Sequence, residues 1–280
     1  MKTRNSRTTI RLLTIGSLLL ALPIAAQAHR AWILPAATIH SSEDPWVTVD
    51  AAISNDIFHT DYRPMQLNGI KAIGPDGMAV ELQNGHTGKY RSTFDINLTQ
   101  RGTYKIFTAS NGMTARWLDE DGQRQSWPPR GAQPNEADFA ANVPADAQDL
   151  VVTRSSRRQE TFITAGVPSD EVLEPEGQGF EMEPITHPND LYAGETAEFR
   201  FLIDGEPAVG AEIIVLAGGM RYRNHQDEIS VTTNADGIAE ITWPDAGMYW
   251  LEASYEDDRA APPATSRRGG YVATFEVMPE

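Results

Sequence analysis

Apolar and polar side chains alternate in short runs along most of this chain, and the runs stop at turn sequences. Residues 46–53 alternate and end at Ser54-Asn55-Asp56. Residues 69–73 meet Gly74-Pro75-Asp76-Gly77, and alternation resumes over 78–82, the pattern of a β-hairpin. Residues 89–98 and 103–110 flank the break at Thr99-Gln100-Arg101-Gly102, and further runs cover 149–154 and 159–165. Residues 197–203 stop at Asp204-Gly205-Glu206-Pro207, and residues 211–216 follow. Residues 229–233 lead to Asn234-Ala235-Asp236-Gly237, whose glycine suits a positive φ. Residues 238–243, 247–255 and 270–277 complete the set. A strand sends successive side chains to opposite faces, so each run reads as a half-buried strand. No long segment repeats at the helical period, and the one helix expected is short, near 135–141. The chain is therefore expected to be all-β, with two antiparallel Ig-like β-sandwich domains at 29–166 and 180–280. Residues 167–179 join them and are rich in Pro, Gly and acid. Glu171, Glu174, Glu176, Glu181 and Glu183 read as a solvated connector, and Arg154, Arg157 and Arg158 as a small basic spot.

The first 28 residues follow a different logic. Lys2, Arg4, Arg7 and Arg11 precede an apolar stretch from Leu12 to Ala26, and Ala26-Gln27-Ala28 carries the small-x-small pattern of signal-peptidase cleavage. The apolar stretch is shorter than the ~20 residues that span a bilayer. Export by the general secretory route is expected, with cleavage after Ala28 and a periplasmic destination. No later stretch is long and apolar enough to hold the mature chain in a membrane.

The chain contains no cysteine, which excludes disulfides, thiolate nucleophiles and thiolate metal sites. Its net charge is -16, with 39 acidic residues against 23 Lys and Arg. Such a balance excludes nucleic acid as a partner, because that binding rests on neutralising phosphates, and it favours cations. No P-loop, dinucleotide fingerprint or nucleophile elbow is present.

Two further stretches carry a resemblance. Residues 205–216, Gly-Glu-Pro-Ala-Val-Gly-Ala-Glu-Ile-Ile-Val-Leu, and residues 233–253 around Asn234-Ala235-Asp236-Gly237 and Gly247-Met248-Tyr249, resemble bacterial Ig-like and carboxypeptidase-regulatory-like domains. The whole layout combines a mature start at His29-Arg30-Ala31-Trp32 with Glu183-Pro-Ile-Thr-His-Pro-Asn-Asp-Leu-Tyr-Ala-Gly-Glu195. It resembles the exported, NikM-like family of periplasmic nickel-uptake components, much of which is described only as a domain of unknown function. The resemblance implies a periplasmic, non-enzymatic accessory protein that supports uptake of a transition metal: nickel or cobalt, or copper or iron. Its partners would be the metal ion and a membrane transporter or TonB-dependent receptor. The chain lacks the additional transmembrane segment of some members.

Cleavage after Ala28 would leave His29 with both an α-amine and an imidazole. The two nitrogens of one residue can chelate a single ion, and planar nitrogen donors suit Cu(II) or Ni(II). A further histidine would complete the set. His59 is preferred among His40, His59, His86, His187 and His225, because it follows a strand and has Asp61 nearby as an outer ligand. His86, in Asn84-Gly85-His86-Thr87-Gly88, is the second candidate. The expected metal residues are His29, His59, Asp61 and His86, and the expected cofactor is a divalent transition metal, nickel or copper. Two alternatives remain open: a copper histidine-brace oxygenase, and a metal-free Ig-like interaction module for a surface receptor.

Overall fold

The computed structural model describes residues 29–280 except 130, 131, 133 and 134. The expected signal peptide, residues 1–28, lies outside the described residues. In chain order the first strands are β1 (Arg30–Pro35), β2 (Ile39–His40), β3 (Trp46–Ser54), β4 (Arg63–Pro64), β5 (Lys71–Ile73), β6 (Ala79–Val80), β7 (Gln83–Thr87), β8 (Ser92–Asn97), β9 (Gly102–Leu118), β10 (Arg124–Trp127) and β11 (Gln148–Ala165). The rest are β12 (Phe180–Pro184), β13 (Thr196–Ile203), β14 (Glu206–Pro207), β15 (Glu212–Ala217), β16 (Ile229–Thr232), β17 (Ile238–Thr242), β18 (Gly247–Asp257) and β19 (Ser266–Val277). The one α-helix among the described residues is a single turn, Phe139–Asn142, behind a 3-10 turn at Glu136–Asp138. No helix among the described residues is long and apolar enough to cross a membrane.

The strands form three sheets rather than two separate sandwiches. A five-stranded sheet runs β1-β3-β8-β7, with β4 on β3. A four-stranded sheet runs β12-β13-β14, with β17 on β13. Between them lies a ten-stranded sheet, β16-β15-β18-β19-β11-β9-β5-β6, with β10 on β9 and β2 on β11. Pairing is antiparallel except where β11 meets β19 and β2.

The large sheet is continuous because β11 is apolar on both faces. Ile163 and Ala165 point into one core, where Tyr104 and Ile106 of the same sheet meet Val49, Phe94 and Ile96 of the five-stranded sheet. Phe162 points the other way, with Tyr271 and Phe275, onto Phe180, Phe199 and Phe201 of the four-stranded sheet. Each fully buried side chain of this size contributes roughly 1.5–3 kcal/mol. A strand buried on both faces must sit inside a sheet, and the parallel pairing of Arg158 with Tyr271 and Glu160 with Ala273 is what joins the halves.

The acidic connector departs from its expected solvated state. Val172 and Leu173 are buried in the second core. The Glu181 carboxylate, 2% exposed, accepts backbone N–H groups from Glu176, Gly177 and Gln178 at 3.0, 2.7 and 3.0 Å. It also pairs with Arg158 at 3.1 Å. Arg158 reaches Glu160 and Glu176, each at 3.2 Å, and Tyr271 donates its hydroxyl to Glu160 at 2.7 Å. Buried charges persist where each has a partner, and this network clamps the connector onto β11 and β19. Burial and the charge of Glu160 hold the Tyr271 phenol protonated well beyond its ordinary range.

Candidate functional site

Two loops from distant parts of the chain meet at the start of β1. The first, residues 55–62, follows β3. Ser54 ties it down: its hydroxyl accepts Trp32 Nε1–H at 2.7 Å and donates to the Asp56 carbonyl at 2.6 Å. Asp61 closes the loop by accepting Asn55 N–H and Nδ2–H at 2.9 and 3.2 Å. Phe58 sits at φ 58°, a left-handed conformation that a bulky residue rarely adopts. Its ring lies edge-on to Trp32 and against Gly218, where a Cβ would stand 3.3 Å from the Phe58 ring.

The second loop, residues 218–228, joins β15 to β16. Met220 anchors it in a small core with Trp32, Ile57, Leu216 and Trp250. Arg223 donates to the carbonyls of Ala217 and Gln226 at 2.8 and 3.4 Å. Arg30 ties the two loops together. It lies 5.6 Å from the Trp250 ring centroid and donates to the Asn55 carbonyl (3.3 Å) and to Gln226 Oε1 (3.0 Å). Trp250 in turn donates to the Ala31 carbonyl at 2.9 Å.

The expected metal residues fall as follows. The ring of His29 stacks on Tyr62, centroids 3.7 Å apart and planes 11° apart. Nε2 of His59 lies 3.0 Å from Arg221 Nη1. A guanidinium only donates, so His59 Nε2 is the acceptor and its proton sits on Nδ1. Asp61 is committed to Asn55. His86 lies on the exposed strand β7, at the opposite edge of the five-stranded sheet from β1. Three of the four thus come to one end of the molecule, but their donor atoms face a tyrosine ring, an arginine and a backbone loop. Among the described residues no three His, Cys, Asp or Glu side chains assemble into a group that could hold a metal ion. This corrects the expected function of metal uptake, together with its metal-binding, nickel and transport aspects. The physical reason is that residue type and place along the chain named candidate imidazoles without fixing where their nitrogens point.

Two of the other histidines have duties of their own. His40 Nε2 lies 3.2 Å from the Ala37 carbonyl. His187 joins a polar cluster in which Thr103 Oγ1 lies 3.0 Å from its Nε2 and 3.1 Å from Thr164 Oγ1, which itself donates to Asn189 Oδ1 at 2.8 Å. Asn189 donates on to the Phe162 carbonyl at 3.0 Å. What the sequence reading missed is the display of the second loop. Tyr222 is 87% exposed at its tip, with Arg221 alongside. Tyr62 is half exposed beside Arg63, whose guanidinium lies 5.7 Å from the ring. Arg30, Arg63 and Arg221 have no carboxylate within ion-pair distance among the described residues. The run Arg221-Tyr222-Arg223 in a loop was the available signal.

No curated protein matches the chain in sequence. Among solved structures, the D0-D1 domain of intimin is similar at 8% identity and TM-score 0.22, covering 88% of this chain and 97% of that one. A DUF3823 family protein from Bacteroides uniformis is similar at 11% identity and TM-score 0.25, covering 90% and 100%. The human OSCAR ligand-binding domain is similar at 12% identity and TM-score 0.18, covering 86% and 97%. The sequence resemblance is borne out at the level of a family without an assigned function, and the nickel-uptake identity is not. Over residues 26–257, most of its length, the chain matches a domain of unknown function, and it belongs to that family, DUF4198.

Proposed function

We propose that this protein is an exported, non-enzymatic interaction module that meets a surface receptor, without a metal, through the end where the 55–62 and 218–228 loops converge. The observation that carries the reading is the held but uncovered Tyr222. Its loop is anchored from beneath by Met220 and Arg223, yet the ring itself is 87% exposed. Tyr62, Arg63 and Arg221 extend the same surface. Tyrosine and arginine dominate the energetics of protein interfaces, and loops on a rigid sandwich are where such residues are grafted. Loops fixed before binding lose less conformational freedom when a partner arrives. Export rests on the basic, apolar and Ala-x-Ala segments of residues 1–28.

A photo-crosslinking amino acid in place of Tyr222, introduced in the producing cells, tests the reading. One discrete adduct is expected in the cell-envelope fraction, lost when Arg221→Ala is added. The same probe in place of the exposed Tyr90 should give none. No adduct at 222, or equal adducts at both positions, would overturn it.

A further inference from the structure

A second feature lies on the other face of the large sheet. Register sets it there: Arg267 and Thr274 of β19 are an odd number of residues apart, and Thr274 pairs with Trp250, which faces the loops described above. The feature is a niche of about 200 Å³. Its floor is the row Asn111-Ser156 and the neighbouring row Arg154-Arg267. Its walls are Gln178-Gly179 of the connector and Ile203-Asp204 at the end of β13.

The walls are fastened to the floor. Gly179 (φ 72°) lies so close that a Cβ there would stand 2.6 Å from Ser156 Cβ and 2.9 Å from Asn111 Oδ1. Its N–H donates to Asp204 Oδ1 at 2.8 Å, and Phe180 N–H donates to Ser156 Oγ at 2.8 Å. The niche is thus formed in advance of any ligand.

Its charges are already spent. Arg267, 5% exposed, is held by Asp257 (2.7 Å), Asp204 (3.1 Å) and Glu206 (3.3 Å). Arg154 is held by Glu136 at 3.0 Å. Both guanidinium groups are thus engaged by carboxylates of the chain and offer no open ion-pairing position to an anion. The unspent groups are neutral. The carboxamides of Asn111 and Gln178 make no side-chain hydrogen bond with any described residue, and Ser156 retains its hydroxyl proton. A carboxamide both donates and accepts, which matches the paired hydroxyls of a sugar. The volume is below the ~300–1,000 Å³ of sites for drug-sized ligands, so it suits one ring.

We infer that this niche binds a single neutral, polyhydroxylated ring, a hexose-sized sugar unit, through Asn111 and Gln178. The inference is independent of the receptor reading, because it concerns the opposite face. Side-chain amide resonances of Asn111 and Gln178 in the full mature chain would be followed during titration with methyl glucoside, N-acetylglucosamine, chitotriose and sodium sulfate. Saturable shifts at about 1–10 mM are expected for at least one sugar. Asn111→Ala with Gln178→Ala, followed through the backbone amide resonance of Gly179 in both proteins, should weaken binding by about tenfold or more while leaving the melting temperature in place, since both substituted side chains are exposed. Tighter binding of the trimer assigns the site to a glycan unit, and tighter binding of the monomers assigns it to a free sugar. Absence of saturable shifts up to about 100 mM sugar, equal affinity in the double variant, or sulfate saturating the same resonances would overturn the inference.

Discussion

The His187 imidazole accepts Asn189 N–H at Nδ1 (3.1 Å), so its proton sits on Nε2, 3.0 Å from Thr103 Oγ1. Protonating Nδ1 would break the Asn189 contact within a cluster that links β9, β11 and the loop after β12. Burial lowers the pKa of His187 below its ordinary 6.5, against the opposing pull of the Ser169 backbone, Asp170 and Asp190. The unfolded chain therefore binds this proton first as pH falls. The stabilisation is complete above about 6.5 and is lost as pH drops from there toward the folded value. Urea midpoints measured at pH 7.5 and pH 5.5 should fall more in the native protein than in His187→Gln. Equal falls would show that this imidazole is not a source of the acid sensitivity. At this scale the residue types were legible, but their partners were not. His59, Arg221 and Tyr62 come from separate stretches, and only packing determined that Arg221 would occupy the His59 nitrogen.

At the scale of elements, alternation located most strands, the hairpin at Gly74-Pro75-Asp76-Gly77 and the turn at Asn234-Ala235-Asp236-Gly237, which carries the chain from the ten-stranded sheet to the four-stranded one. It broke β9 and β11 into shorter pieces. The interruptions at Asn111-Gly112 and at 155–158 are small or polar residues, and both strands run through them. Alternation also carried a signal that composition hid. Arg158, Glu160 and Phe162 share one face of β11, so the supposed basic spot holds a charge that enters the core. Phe162 and Ile163 are neighbours in sequence that serve different cores. Phe162→Ala should cost about 3–5 kcal/mol and Ile163→Ala about 2–5 kcal/mol in denaturant unfolding, each without changing the single-step character of the transition. A Phe162→Ala protein that loses the four-stranded sheet alone, with the other half still protected from hydrogen exchange, would contradict a shared strand.

At the scale of the whole molecule, the ten-stranded sheet makes the two halves interdependent. β19 takes β18 on one side and β11 on the other, so residues 180–280 made alone would expose the β19 edge and the face under the connector. Calorimetry of residues 29–280 should show one transition, with calorimetric and van't Hoff enthalpies in agreement. Two resolved transitions would return the molecule to two independent sandwiches. The sequence by itself determined that the chain is built of strands, where most of them turn, and that thiol chemistry is excluded, because side-chain alternation, glycine and proline act locally. Only the tertiary structure decided that β11 is shared between two cores, that the acidic connector is buried, and that the histidines at one end face rings and guanidinium groups. Those outcomes depend on contacts between segments tens to hundreds of residues apart, whose directions no local pattern encodes.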